Sequence, residues 1–168
     1  MKLWKSVTVM VVVLAVGLSA QQKKDPSAPG AKGKDFPPIY EVKRDSFKDL
    51  KSAQVEAQKS GKNIMLEVGG NWCIWCHIMH RFFEQHAELK RYRDDNYVVV
   101  PVNWSEETPN EKFLSRFPKV AGYPHLFVLD ANGQLLRSQN TAELEQGRGY
   151  NLSKMAKFLQ KWAPKKKG

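Results

Sequence analysis

Both cysteines of this 168-residue chain, Cys73 and Cys76, lie with only two residues between them. A disulfide across so short a loop restrains little of the unfolded chain, so it is a poor structural staple. The fold must therefore rest on a hydrophobic core. A composition 42% hydrophobic and 11% aromatic is enough to build one in a single domain of ordinary size. The pair itself then reads as reactive rather than structural. Its spacing suits three chemistries: a dithiol/disulfide redox couple, two anchors for a haem, or half of a metal site.

The N-terminus reads as an export signal, residues 1–20. Lys2 and Lys5 precede an apolar run from Val7 to Leu18, then small Ser19 and Ala20. The run is shorter than the roughly 20 residues a membrane span needs and suits a cleavable leader. Export to a periplasmic or secreted location is expected, with no stable membrane insertion after cleavage. Residues 21–38, rich in Lys, Pro and Gly, read as a flexible linker that cannot bury a core. Order is expected from Ile39, with a domain over 39–163 and a basic tail at 164–168. Most of the net charge of +10 sits in the leader, the linker and the tail lysines Lys165, Lys166 and Lys167. Nucleic-acid binding is not indicated by charge confined to the flanks.

Within the domain, Ser46 is positioned to cap a helix that carries Phe47, Leu50, Ala53, Val55 and Ala57 and ends at Ser60-Gly61. Asn63–Val68 reads as a buried strand, and Gly69-Gly70-Asn71 turns the chain into the cysteine motif. A helix from Cys73 carries Ile78, Phe82 and Phe83, restarts near Gln85-His86 and ends by Asn96. A second strand spans Tyr97–Trp104, where Pro101 predicts a bulge or an early end. Thr108-Pro109-Asn110-Glu111 has the pattern of a helix start. Leu126–Leu129, the turn Asp130–Gly133 and a return strand Gln134–Ser138 form a hairpin. Asn151 caps a last helix whose Leu152, Met155, Phe158, Leu159 and Trp162 share one face.

A βαβ unit, a helix, an antiparallel hairpin and a terminal helix, with Cys-x-x-Cys at the strand-to-helix junction, resemble the thioredoxin fold. This is an α/β architecture with a central mixed sheet flanked by helices, and the likeness covers residues 40–163. Three features carry it: Trp72-Cys73-x-x-Cys76 after a buried strand, Glu67 six residues earlier, and Tyr123-Pro124 before the hairpin. The Trp-Cys-x-Trp-Cys-His form is similar to exported thioredoxin-like proteins. The resemblance implies an oxidoreductase that exchanges disulfides with protein substrates and needs no cofactor beyond the Cys73–Cys76 couple. An envelope redox partner would reset it. Cys73 would be an exposed nucleophile, because unpaired amides and the dipole at a helix N-terminus favour thiolate. Cys76, deeper in, would resolve the mixed disulfide. Glu67 would take up its proton, its pKa raised by burial. Trp72 and Trp75 would flank the sulfurs and bind substrate with Tyr123 and Pro124, the latter corresponding to the superfamily's cis-proline. The Ile74-Trp75 dipeptide departs from the Gly-Pro of thioredoxin and leaves the redox direction open, with a reductant slightly favoured. His125 stands where a threonine is usual.

Other chemistries fit the same residues. Cys73-x-x-Cys76-His77 also matches the attachment motif of a c-type haem, although it follows a strand and leaves Glu67 and Pro124 without a role. Zinc would draw on Cys73, Cys76 and His77 or His80, with His86 further along, but structural sites want separated ligand pairs. A thioredoxin-fold binding or chaperone module would leave the cysteines incidental. His77 itself reads as a surface helix residue.

Overall fold

Strand β1, Asn63–Gly69, organises the molecule. In the computed structural model, which describes residues 24–28 and 30–165, it lies between two neighbours in a four-stranded sheet of order β2-β1-β3-β4. The leader and the end of the basic tail lie outside the described residues. Strand β2, Tyr97–Asn103, runs parallel to β1 with unbroken register from Asn63↔Tyr97 to Gly69↔Asn103. Strands β3, His125–Leu129, and β4, Leu135–Asn140, add antiparallel pairs. Pro101 neither bulges nor ends β2. The strand is a sheet edge and Pro101 is exposed, so its missing N–H costs no ladder bond.

Side-chain alternation along β1 splits the core in two. Ile64, Leu66 and Val68 face helix α1, Ser46–Ser60, and pack with Leu50, Ala53 and Ala57, with Val98, Val100 and Val102, and with Phe127. Met65 faces the other side. There it joins Ile78, Met79, Phe82 and Phe83 of α2, Ile74–Gln85, Leu89 of α3, Ala87–Asn96, and Met155, Phe158 and Leu159 of α5, Leu152–Trp162. The result is a mixed sheet between two helical layers. Strands β5, Glu145–Gln146, and β6, Gly149–Tyr150, form a small separate ladder before α5. Helix α4, Glu111–Leu114, sits between β2 and β3. Among the described residues no helix is long and apolar enough to cross a membrane.

Two helix starts differ from expectation. Asp45, not Ser46, caps α1: its Oδ1 accepts from Phe47 N at 3.0 Å and Lys48 N at 3.2 Å, and Ser46 is buried as the first helical residue. An aspartate one position earlier is an equally good cap, and local pattern alone does not rank the two. Thr108 caps nothing either. Its N–H closes a turn onto Ser105 O, and α4 starts after Asn110, which sits in the left-handed region at φ 50°. The hairpin and the final cap follow expectation: Asp130 Oδ1 accepts from Asn132 N and Gln134 N, and Asn151 accepts from Lys154 N at 2.9 Å.

The described residues of the segment read as a linker lie against α2 and the β5–β6 ladder. Arg81 donates to Lys24 O at 2.7 Å, and Arg148 to Ser27 O and Ala28 O at 2.8 and 3.0 Å. Phe36 packs its ring on His77, centroids 5.4 Å apart. The segment has little apolar surface of its own. Donors far along the chain satisfy its carbonyls, and composition within the segment cannot register them.

Candidate active site

Cys73 is the N-cap of α2, where the chain leaves the β1 turn with extended dihedrals. Its Sγ accepts from Cys76 N at 3.2 Å, so a backbone amide of the first turn already points at this sulfur. Cys73 and Cys76 are joined as a disulfide, Cα–Cα 5.3 Å. Sequence reasoning expected Cys73 to be exposed. It is instead 4% exposed in this oxidised form, against 1% for Cys76. The two sulfurs form a buried cluster with Tyr40, covered in part by Ile39, Trp75 and Tyr123.

The exposed element of the site is Trp72, at 48%. Its Nε1 donates to Trp104 O at 2.8 Å. Its ring stands edge-on to Trp104 and Tyr123, which stack on one another 4.9 Å apart. Trp104 marked only a strand end in the sequence, yet it completes this aromatic platform. Beyond it, Trp104, Tyr123, Phe117, Pro118 and Val120 line a groove of about 420 Å³. Trp75 turns the other way and meets Tyr150 edge-on at 5.8 Å. The Tyr123–Pro124 peptide is cis. Pro124 O accepts from buried Thr141 Oγ1 at 2.6 Å, which ties the proline loop to the turn after β4.

Glu67 points from β1 to the α2 face, the side shared by Met65 and Gly69. A Cβ on Gly69 would run into Cys76 Sγ and the Tyr40 hydroxyl. The strand therefore needs glycine here to let the sulfur approach its backbone. One pleat separates Gly69 from Glu67, about 7 Å along a strand. Burial raises the Glu67 pKa. Arg93, 3.4 Å away, opposes that rise only in part, and Asp94 adds to it. Arg93 is in turn held by Asp94 at 2.9 Å and stacks over Phe83. A glutamate pointing to solvent from a sheet edge is excluded, because β1 is central.

His77 is not a surface residue. It is 4% exposed, with Nε2 against Asn71 O at 2.9 Å. Asn71 is the hub of the motif: its Oδ1 accepts from Ile39 N and Tyr40 N at 2.8 and 2.9 Å, and its Nδ2 donates to Tyr40 O at 2.9 Å. His125 is buried with Nε2 on Ser138 Oγ at 2.8 Å. Its Nδ1 has no partner among the described residues, and burial lowers its pKa. His86 Nδ1 contacts Phe82 O at 2.7 Å. Among the described residues no three His, Cys, Asp or Glu side chains come together to hold a metal. Sequence reasoning missed Tyr40, Trp104 and Thr141, and nothing in their local sequence distinguishes them.

The comparisons with known proteins agree with this geometry. A profile of the family described as thioredoxin-like matches residues 45–131. The chain belongs to the thioredoxin-like family. Spermatogenesis-associated protein 20 of Mus musculus is 34% identical over 62 residues, covering 37% of this chain and 8% of that protein. Thiol:disulfide interchange protein DsbD of Vibrio cholerae is 25% identical over 133 residues, covering 78% of this chain and 22% of the relative. The chain thus spans a minor part of the length of these relatives. The solved structure of a disulphide isomerase from Xylella fastidiosa Temecula1 superposes with a TM-score of 0.65 at 18% identity, over 75% of this chain and 97% of that one. This thioredoxin-like protein therefore shares the fold of that solved structure, and its own cysteine pair sits at the β1–α2 corner.

Proposed function

We propose that the protein is an exported thiol-disulfide oxidoreductase acting on polypeptide substrates. One observation carries the reading: Cys73 caps α2, with its sulfur bonded to Cys76 and facing an amide of the helix's first turn. In the reduced form that amide and the helix dipole favour a Cys73 thiolate. Cys73 attacks a substrate disulfide, and Cys76 then displaces the substrate by re-forming the Cys73–Cys76 bond. Glu67, whose pKa burial holds above the usual carboxyl range, accepts the Cys76 proton directly or through water. Trp72, Trp75, Tyr123 and Pro124 bind the substrate segment, and the groove beside Trp104 and Tyr123 extends that surface. The dithiol carries two electrons, so no further cofactor is required. A redox partner in the envelope resets the couple. The relatives named for thiol:disulfide interchange support this chemistry, and the leader-like N-terminus supports the location.

The haem reading is weaker. Both sulfurs are bonded to each other, and buried His77 is engaged with the Asn71 carbonyl. Glutathione titration of the Cys73–Cys76 couple, with an insulin reduction assay, tests the proposal. A potential near about −270 mV marks a reductant and near about −120 mV an oxidant. The assignment fails if the couple never cycles, or if Cys73→Ser leaves insulin reduction intact. A Soret band in purified protein would favour haem instead.

A further inference from the structure

The third member of the buried sulfur cluster, Tyr40, has no part in the reading above. It precedes α1, is 6% exposed, and packs directly with Cys73 and Cys76. Its hydroxyl and the Cys76 sulfur crowd the same side of Gly69. Its backbone is held at both ends: Asn71, two residues before Cys73, takes the Tyr40 N–H and donates to the Tyr40 carbonyl. Ile39 N–H shares the same Asn71 oxygen. A hydroxyl on the same side of Gly69 as the resolving sulfur, carried on a backbone locked by the turn that presents the attacking one, is more than packing requires, since phenylalanine would fill the same space.

We propose that Tyr40 serves the resolving thiol, its hydroxyl donating a hydrogen bond to Cys76 Sγ as that sulfur ionises. This rests on the disulfide-exchange reading. A disulfide sulfur is a weak acceptor, but a thiolate in the same place is a strong one, so the bond forms only when Cys76 is called on to react. Tyr40 keeps its own proton. Burial first, then the nearby Glu67 and Tyr150, hold its ionisation well above the ordinary phenol value. It therefore acts as donor only, and Glu67 is the acceptor of the Cys76 proton. The step balances. The Cys73 thiolate has already attacked the substrate disulfide, releasing one substrate sulfur as thiolate, which takes a proton from water. Cys76 S–H gives its proton to Glu67, and its sulfur attacks Cys73 Sγ. The Cys73–Cys76 bond forms as the Cys73–substrate bond breaks. The second substrate sulfur leaves as thiolate, and two electrons have passed from dithiol to substrate.

The test separates the two thiol steps in the full chain. The reduced protein is mixed with oxidised glutathione, quenched by acid and alkylation, and analysed by mass for the Cys73–glutathione adduct. Tyr40→Phe is expected to leave adduct formation unchanged and to slow its resolution about tenfold or more, the value of one hydrogen bond to a charged group. Mixed disulfide then accumulates. Resolution at the parent rate in folded Tyr40→Phe would overturn the inference and leave the exchange reading standing. A parent protein that forms no adduct and no Cys73–Cys76 disulfide would overturn both. If Tyr40→Phe does not fold, 3-fluorotyrosine at position 40, a stronger donor of nearly the same shape, is expected to speed resolution; an unchanged rate there also overturns it.

Discussion

Strand β1 carries one ionisable side chain, Glu67, and its position sets a sign that can be measured. Burial makes the folded protein hold this proton to higher pH than the unfolded chain does, despite Arg93. Between the two ionisations the folded state binds more protons, so stability falls as pH rises through that window. Glu67→Gln removes this contribution. In urea melts from about pH 4 to 8 the parent should lose stability relative to Glu67→Gln as pH climbs above the ordinary carboxyl range. Parallel pH trends for the two proteins would mean the carboxyl is not shifted. The positions of Cys73 and Cys76 at the β1–α2 corner and of Pro124 ahead of the hairpin were legible, because the buried strand, the helix start and the hairpin that frame them have local patterns. The burial of His77 was not. Its pairing with Asn71 O depends on the turn closing back over the first turn of α2.

At the scale of elements, the segment 24–38 and the cysteine turn meet backbone to backbone. A Cβ at Gly33 would be driven into the Trp72 carbonyl group, and would lie 2.7 Å from Asn71 O. Neither neighbour is a flexible side chain that could swing aside. Gly33→Ala should therefore lift the segment from the turn. Limited proteolysis N-terminal to Ile39 should accelerate, Trp72 fluorescence should change, and far-UV circular dichroism should stay as it was. Unchanged proteolysis would show that the segment is not seated by this contact. Composition alone cast these residues as a tether. Their partners Arg81 and Arg148 are 57 and 121 residues away in the pairs they form, a distance no local pattern spans.

For the molecule as a whole, the α2 face of the sheet holds the larger buried cluster, and α5 closes it. Met155 is fully buried there, while Leu152, on the same helix, is 48% exposed. Met155→Ala should cost about 2–5 kcal/mol, and Leu152→Ala within about 0.5 kcal/mol, both read by denaturant titration. Tyr97 donates to Leu159 O at 2.6 Å and so pins α5 to the end of β2. Tyr97→Phe should cost about 1 kcal/mol. If Met155→Ala matched Leu152→Ala, α5 would not be a core element.

The sequence by itself determined the order of the main helices and strands, the strand-to-helix corner and the pair of sulfurs placed there. Periodicity, turn residues and the need of a thiolate for free amides act over a few residues, so they can be read locally. Tertiary structure alone decided which groups surround those sulfurs. Tyr40, Trp104, Thr141 and the 24–38 segment reach the site through hydrogen bonds and ring contacts between distant positions. Such contacts depend on how the layers pack, and packing is set by the whole core rather than by any stretch of the chain.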